Sequence, residues 1–216
     1  DVMMFAVPRG FLPPVIPGTK YITLGGAFAC NVHGKNQYRV GEFAEHVECI
    51  RLLLASGKQV ECTPHEHSDL FWATAGGMGM TGIIQEISLK LMPIASTSLA
   101  ATTQRVEQLD AMLAAFEQHA TSADYMIGWI DHMARGDALG RGVFEAASHI
   151  SERDGGASLA SFSIRPPRLS VPLHAPHGLL NRYSMALYNR WRFSRIGAGE
   201  SHGKSQFAHF FHPLDG

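Results

Sequence analysis

Apolar and polar positions between residues 47 and 93 follow the patterns of short strands and one short helix. Residues 47–55 and 58–62 are apolar-rich runs separated by Ser56-Gly57, which predicts a β-hairpin with a two-residue connection. Ser68 or Asp69 is placed to cap a short helix that ends at Gly76-Gly77. Residues 82–93 then alternate for most of their length and end at a proline, which predicts a strand.

Prolines and glycines punctuate the residues before this block. Residues 11–17 read FLPPVIP, which favours an extended, turn-prone conformation because proline fixes φ and disfavours helix at the residue before it. Residues 18–24 are predicted to form a turn and a short strand, and Gly25-Gly26 is predicted to end that strand. A short helical turn is expected over residues 27–30.

The pattern changes after Pro93. Residues 99–106 and 124–131 predict strands on either side of an amphipathic helix over residues 107–120, with Leu109, Met112, Leu113 and Phe116 on its apolar face. Residues 155–176 are rich in Gly, Ser and Pro and predict a long connection. The sequence therefore predicts an α+β protein with one unit over residues 1–93 and a second over residues 94–216.

The charge, the cysteines and the apolar runs of the chain indicate which classes of protein are disfavoured. The 216 residues are 45% hydrophobic, and 18 basic against 19 acidic residues give a formal net charge of -1, which does not favour nucleic-acid binding. The three cysteines form no CxxC pair and are expected to be free thiols in a reducing compartment, so we expect a cytoplasmic protein. No apolar run is long enough to span a membrane.

Candidate chemistry is concentrated in residues 17–36, PGTKYITLGGAFACNVHGKN. Backbone without β-carbons can approach a planar or phosphorylated ligand closely, and its N–H groups can bind anionic oxygen. Ordinary turns also account for Gly-Gly pairs, so both a cofactor site and a set of turns fit the composition of this segment. The histidine pairs His65/His67 and His209/His212 have no third ligand at a suggestive spacing, and we expect no metal site.

The order of the residues resembles the vanillyl-alcohol-oxidase superfamily, in which a Gly-Gly and a His-Gly line the flavin. Its polyprenyl-phosphosugar oxidases share the motifs His33-Gly34-Lys35-Asn36, Leu70-Phe71-Trp72-Ala73-Thr74, Gly76-Gly77, Thr81-Gly82-Ile83-Ile84 and Phe211-His212-Pro213-Leu214-Asp215. The resemblance implies an FAD-binding domain of the PCMH type, represented by its second half, followed by part of an α+β substrate domain. The cofactor-binding residues that it implies are Gly18, Thr23, Leu24, Gly25, Gly26, Cys30, Asn31, Val32, His33 and Ile84.

The same resemblance implies the activity. Lys35 matches a lysine of the substrate pocket, His33 would lie close to the flavin ring, and no residue is identified as the catalytic base. The implied reaction is oxidation of a secondary alcohol of a sugar or polyprenyl-phosphosugar by hydride transfer to flavin, with a reductase as a possible partner in epimerisation. The family carries a glycine-rich pyrophosphate loop before the matched segment and further pocket residues after it, so we expect the chain to be part of a longer polypeptide.

Two alternatives stay open. An aldonolactone or other small-alcohol oxidase has the same fold, usually with small residues in place of Lys35 and Asn36, and a non-catalytic chain would share the fold without retaining flavin. A basic-aromatic cluster is a further candidate site: it could contact a lipid phosphate or membrane surface, or it could be an ordinary solvated face. Its members are Arg190, Arg192, Arg195 and Lys204 with Tyr183, Tyr188 and Trp191.

Overall fold

A computed structural model describes residues 1–164, 178–213 and 215. The helices and strands in chain order are α1 (Val2–Ala6), β1 (Phe11–Leu12), α2 (Leu24–Ala29), α3 (Gln37–Val40), β2 (Val47–Leu53), β3 (Gln59–Cys62), α4 (Ser68–Thr74), β4 (Ile83–Leu89), β5 (Met92–Pro93), β6 (Ser98–Val106), α5 (Leu109–His119), β7 (Tyr125–Ile130), β8 (Gly142–His149), α6 (Arg182–Ser194), β9 (Glu200–Gln206) and α7 (Phe207–Phe211). The mixture of helices and antiparallel sheets is of the α+β class, as predicted.

The chain divides into two compact units. The first comprises residues 1–97, 157–164 and 207–215, and the second comprises residues 98–156 and the described part of 165–206. The sequence predicts a second unit over residues 94–216, and for residues 94–97, 157–164 and 207–215 that prediction is wrong. The chain returns to the first unit because Thr97 N–H donates to Ala157 O at 3.0 Å and Phe207 N–H donates to Thr97 O at 3.1 Å.

The first unit contains the antiparallel sheet β3-β2-β4. The predicted hairpin is confirmed, but its connection is longer than two residues, because Leu53 pairs with Gln59 and Leu54 N–H donates to Lys58 O. The predicted strand over residues 82–93 is present as two pieces. β4 pairs with β2, whereas β5 pairs with β1.

A hydrophobic core lies between this sheet and the helices α2 and α4. Phe28 of α2 and Phe71 of α4 are fully buried, and their ring centroids are 5.1 Å apart in an edge-to-face arrangement. Ile50 and Cys62 fill the sheet side of the same core. The two short helices are therefore held by packing, because helices of six and seven residues are not stable by themselves.

Two local predictions in the first unit are wrong. Residues 18–24 form no strand: Thr23 caps α2, its Oγ1 accepting a hydrogen bond from Gly26 N–H at 2.9 Å, so Gly25-Gly26 lies in the first turn of a helix. The helix α4 is present, but neither Ser68 nor Asp69 caps it. His67, with φ of 50°, occupies the cap position.

The second unit contains the antiparallel sheet β7-β8-β6-β9. The predicted strands over 99–106 and 124–131 and the predicted helix over 107–120 are confirmed as β6, β7 and α5. The buried face of α5 differs from the predicted one, because Met112 and Ala115 are buried while Leu109 and Leu113 are exposed. The predicted long connection is described as far as residue 164, with short 3-10 turns over Glu152–Asp154 and Leu159–Ser161, and its remainder lies outside the described residues.

Candidate functional site

Two glycine-containing segments of the first unit form an open cavity of about 350 Å³, at the lower end of the range for small-molecule sites. One wall comes from α2 and its cap, and the other from the loop after α4 and the start of β4. The described residues that line it are Thr23, Gly25, Gly26, Ala29, Cys30, Met78, Gly79, Gly82 and Ile84.

Backbone hydrogen bonds hold the two walls together. Gly76 N–H donates to Phe28 O at 3.2 Å, and Met78 N–H donates to Ala29 O at 2.8 Å, so the loop after α4 is bound to the end of α2. Left-handed φ angles at Gly76, Met78 and Gly79 give the loop its path. At Gly82, a β-carbon would lie 2.6 Å from Leu53 O, so this close approach to β2 requires glycine.

The lining fits part of a large planar cofactor. A β-carbon on Gly25 would lie 3.7 Å from the Ile84 β-carbon, an ordinary contact distance, so glycine at this position leaves space in the cavity. Ala29 and Ile84 supply apolar surface beside that space. Small and apolar walls of this kind allow a flat ring to lie against backbone and short side chains.

The cavity brings together five of the ten predicted cofactor residues: Thr23, Gly25, Gly26, Cys30 and Ile84. Leu24 packs against the core of the first unit instead. Gly18 is exposed, and a β-carbon there would have no neighbour within 4 Å. Gly18 therefore lies in open space, and its role in binding stays a prediction.

The segment from Asn31 to His33 follows the cavity wall along the chain but does not line the cavity. The Asn31 side chain donates to the Glu42 carboxylate, and its Oδ1 accepts from Ala44 N–H at 3.0 Å, so it fixes the turn at residues 42–44. Val32 packs against the core. His33 is exposed, and its backbone forms an isolated bridge with Glu42. Contacts of these three residues with a cofactor stay predictions.

Four lining residues were not predicted: Ala29, Met78, Gly79 and Gly82. The motif Thr81-Gly82-Ile83-Ile84 contained a signal, since it carries both Gly82 and the predicted Ile84. The contribution of Met78 depends on tertiary structure, because its sulfur lies 3.7 Å from the Cys30 sulfur, 48 positions away in the chain.

Lys35 lies against the returning C-terminal segment. Its ammonium donates to Phe210 O and lies 4.4 Å from the centroid of the Phe210 ring. The neighbouring Lys20 is also tied to this segment, because its backbone N–H donates to Asp215 Oδ2 at 2.6 Å. The described residues of 207–215 therefore pack on the predicted cofactor segment, and Lys35 does not simply extend into solvent.

His212 is buried within this same part of the first unit. Burial lowers the pKa of its imidazole most strongly, Asp215 opposes that shift, and Lys20 and Lys35 lower the pKa further. The neutral imidazole is therefore favoured beside two cationic side chains. A neutral imidazole can both donate and accept a hydrogen bond.

Among residues 1–164, 178–213 and 215, no three His, Cys, Asp or Glu side chains are grouped so that they could hold a metal ion. The helices within the same ranges are all too short or too polar to cross a membrane.

Several known proteins are similar to this chain in amino-acid sequence. Residues 1–63 match the family described as the FAD binding domain. The decaprenylphosphoryl-beta-D-ribose oxidase of Mycolicibacterium smegmatis is 32% identical over the whole chain, which covers 48% of that protein. An uncharacterized protein in the mprA 5' region of Streptomyces coelicolor is 35% identical over 81% of this chain and 47% of its own length, and human delta(24)-sterol reductase is 30% identical over 50% and 20%.

The cavity and these matches define an FAD-binding protein. The chain is similar to FAD-linked oxidoreductases of the vanillyl-alcohol-oxidase type, and it spans about half the length of the curated relatives that it matches over most of its residues.

Contact between the cofactor and the Gly25-Gly26 turn can be tested with Gly25→Val in the protein that contains this chain. The substitution places a branched side chain in the cavity without a backbone clash, so we expect the flavin-to-protein ratio to fall while the circular dichroism spectrum is retained. Gly26→Val is a less clean test, because a β-carbon there would lie 3.0 Å from the capping Thr23 Oγ1.

Gly203→Val is the matched control, since Gly203 lies on the exposed strand β9 with open space around it. Absorbance of the flavin and of the protein gives the ratio. An unchanged ratio in folded Gly25→Val would show that this wall does not contact the cofactor.

The lowered pKa of His212 makes the stability of the protein depend on pH. Its pKa is lowered in the folded protein, so the unfolded chain binds the proton more readily below the ordinary value of about 6.5. The free energy of unfolding should therefore fall as the pH is lowered from 7.5 to 5.5, and His212→Gln should show a smaller fall.

Urea unfolding at both pH values measures this difference, with His65→Gln, at an exposed loop histidine, as the control. Equal pH dependence in His212→Gln and the unmodified protein would contradict the burial of a neutral imidazole.

Proposed function

We propose that the protein containing this chain oxidises a secondary alcohol of a sugar or polyprenyl-phosphosugar, with FAD as the hydride acceptor. The observation that carries the proposal is the cavity between α2 and the loop after α4, whose glycine and small apolar lining fits a flavin. The similarity of the whole chain to a decaprenylphosphoryl-beta-D-ribose oxidase supports this class of substrate.

Bound FAD would supply the acceptor for the hydride that leaves the alcohol carbon. The chain's own contribution is to hold the flavin. Ala29, Met78 and Ile84 provide the apolar part of the cavity wall, and the turn at Gly25-Gly26 keeps side chains out of the cofactor's space. The capping bond from Gly26 N–H to Thr23 Oγ1 fixes the position of this turn.

Lys35 is the residue that we assign to the substrate. Its ammonium has three donors, and its charge attracts anionic oxygen over several ångströms in addition to any direct hydrogen bond. Lys20 and Lys35 are both close enough to His212 to lower the pKa of that imidazole, and the Asp215 carboxylate opposes their effect. Two ammonium groups near one imidazole are suited to a phosphorylated or polyhydroxylated sugar.

Similarity to this chain does not itself define the substrate, because delta(24)-sterol reductases are also similar to it over about half of its length. An aldonolactone or other small-alcohol oxidase is therefore the second candidate, and it would have no need for the positive charge of Lys35. For the phosphosugar substrate, we propose that the ketone product passes to a reductase partner, which would complete an epimerisation.

Lys35→Met separates these candidates, because it preserves the bulk of the stem and removes the charge. A charge-assisted hydrogen bond contributes about 1.5–3 kcal/mol, so kcat/KM for a phosphosugar substrate should fall roughly ten- to a hundredfold. The flavin content should be unchanged. Steady-state kinetics with phosphorylated and unphosphorylated sugars, together with flavin absorbance, measures both quantities.

Lys58→Met, in the exposed hairpin connection, is the control for removing a lysine charge. A purely structural role of Lys35, in holding Phe210, would lower the unfolding midpoint and reduce turnover of every alcohol equally. That outcome, or full kcat/KM on every phosphosugar, would remove the support for the sugar substrate.

A further inference from the structure

One face of α6 is firmly anchored to the second unit. Asp131, which is 1% exposed, accepts a hydrogen bond from Asn189 Nδ2 at 2.7 Å and two from Arg141, at 3.0 Å from Nε and 2.7 Å from Nη2. Phe193 is buried one turn further along, with the guanidinium groups of Arg105 and Arg141 about 5 Å from its ring centroid. These contacts fix the orientation of the helix.

The opposite face of α6 is apolar and exposed. Tyr183, Leu187 and Trp191 follow each other at four-residue spacing, which places them in one stripe along the helix. Their exposed fractions are 70%, 71% and 53%. Isolated exposed apolar residues are common on proteins, but a stripe of three on one helix is typical of a contact surface. Three more large apolar residues are exposed on or beside this helix: Leu179, Leu180 and Tyr188.

Positive charge borders this stripe. Arg190 and Arg195 are exposed at its edges, and the Arg195 guanidinium lies 5.4 Å from the centroid of the Trp191 ring system. The described residues 178–199 contain four arginines and no aspartate or glutamate. This segment is therefore positively charged, although the formal net charge of the whole chain is -1.

We propose that the stripe of Tyr183, Leu187 and Trp191 docks α6 on an anionic lipid surface. A helix that lies in a membrane interface combines an apolar stripe with flanking Lys or Arg, and tryptophan and tyrosine favour the depth of the headgroups. Anionic headgroups attract nearby arginines, which accounts for the charge at the edges of the stripe. Docking through this surface does not require any particular substrate.

Vesicle binding tests the proposal in the flavin-loaded protein that contains this chain. Vesicles of phosphatidylglycerol and phosphatidylcholine, mixed in equal parts, should sediment the protein at low salt, whereas phosphatidylcholine vesicles should not. Arg190→Gln with Arg195→Gln should weaken binding by about 30-fold, because each basic residue near an anionic surface contributes about fivefold. Leu187→Ser should weaken it by about tenfold or more through lost apolar burial.

Leu113→Ser is the matched control, because Leu113 is a similarly exposed leucine on α5 of the same unit. It should leave vesicle binding unchanged. No sedimentation with anionic vesicles at low salt, or equal binding by Leu187→Ser and the unmodified protein, would overturn the proposal. Self-association that Leu187→Ser abolishes in light scattering, without vesicle binding, would instead show that a second copy covers the stripe.

Discussion

The candidate site depends on the pair of backbone hydrogen bonds that attaches the loop after α4 to the end of α2. Gly76 N–H and Met78 N–H donate to the carbonyls of Phe28 and Ala29, and these bonds bring together chain segments about 50 residues apart. The edge-to-face packing of Phe28 on Phe71 holds the two helices from the core side. The loop is also tied to α4, because Thr81 Oγ1 donates to Thr74 Oγ1 at 2.9 Å. The cavity is a consequence of these contacts, since neither wall encloses space alone.

Periodicity was sufficient to predict the elements that bury one apolar face, namely the hairpin, β6, β7 and α5. It was insufficient where polar residues form regular structure. The strand β9, ESHGKSQ, is almost wholly exposed at the edge of its sheet and has no hydrophobic alternation. Ile22 and Thr23 are β-branched residues, which favour strands, whereas in the structure the Thr23 hydroxyl caps a helix.

Only part of the candidate site could be predicted from the sequence, because some of its residues are placed by tertiary contacts. Gly25 and Gly26 were identifiable because glycine marks close backbone approach, and the resemblance to a flavoprotein family supplied the ligand. The position of Met78 could not be predicted from the sequence, because its left-handed φ of 52° and its contact with Cys30 depend on the tertiary path of the loop. Lys35 was expected in a substrate pocket, and the structure adds that the returning segment 207–215 contacts it through Phe210.

Protection of Cys30 by the cofactor tests the central claim, that FAD occupies the cavity between α2 and the loop after α4. Cys30 is exposed and lines the cavity. Burial raises the pKa of the Cys49 and Cys62 thiols, so both should react more slowly and serve as internal references.

Alkylation of the flavin-free protein with iodoacetamide, followed by peptide mass spectrometry, gives the rate at each cysteine. We predict that saturating FAD slows the reaction at Cys30 by about tenfold or more, as expected when a bound ligand blocks an exposed side chain. An unchanged Cys30 rate in protein shown by absorbance to hold a full equivalent of flavin would contradict this placement of the cofactor.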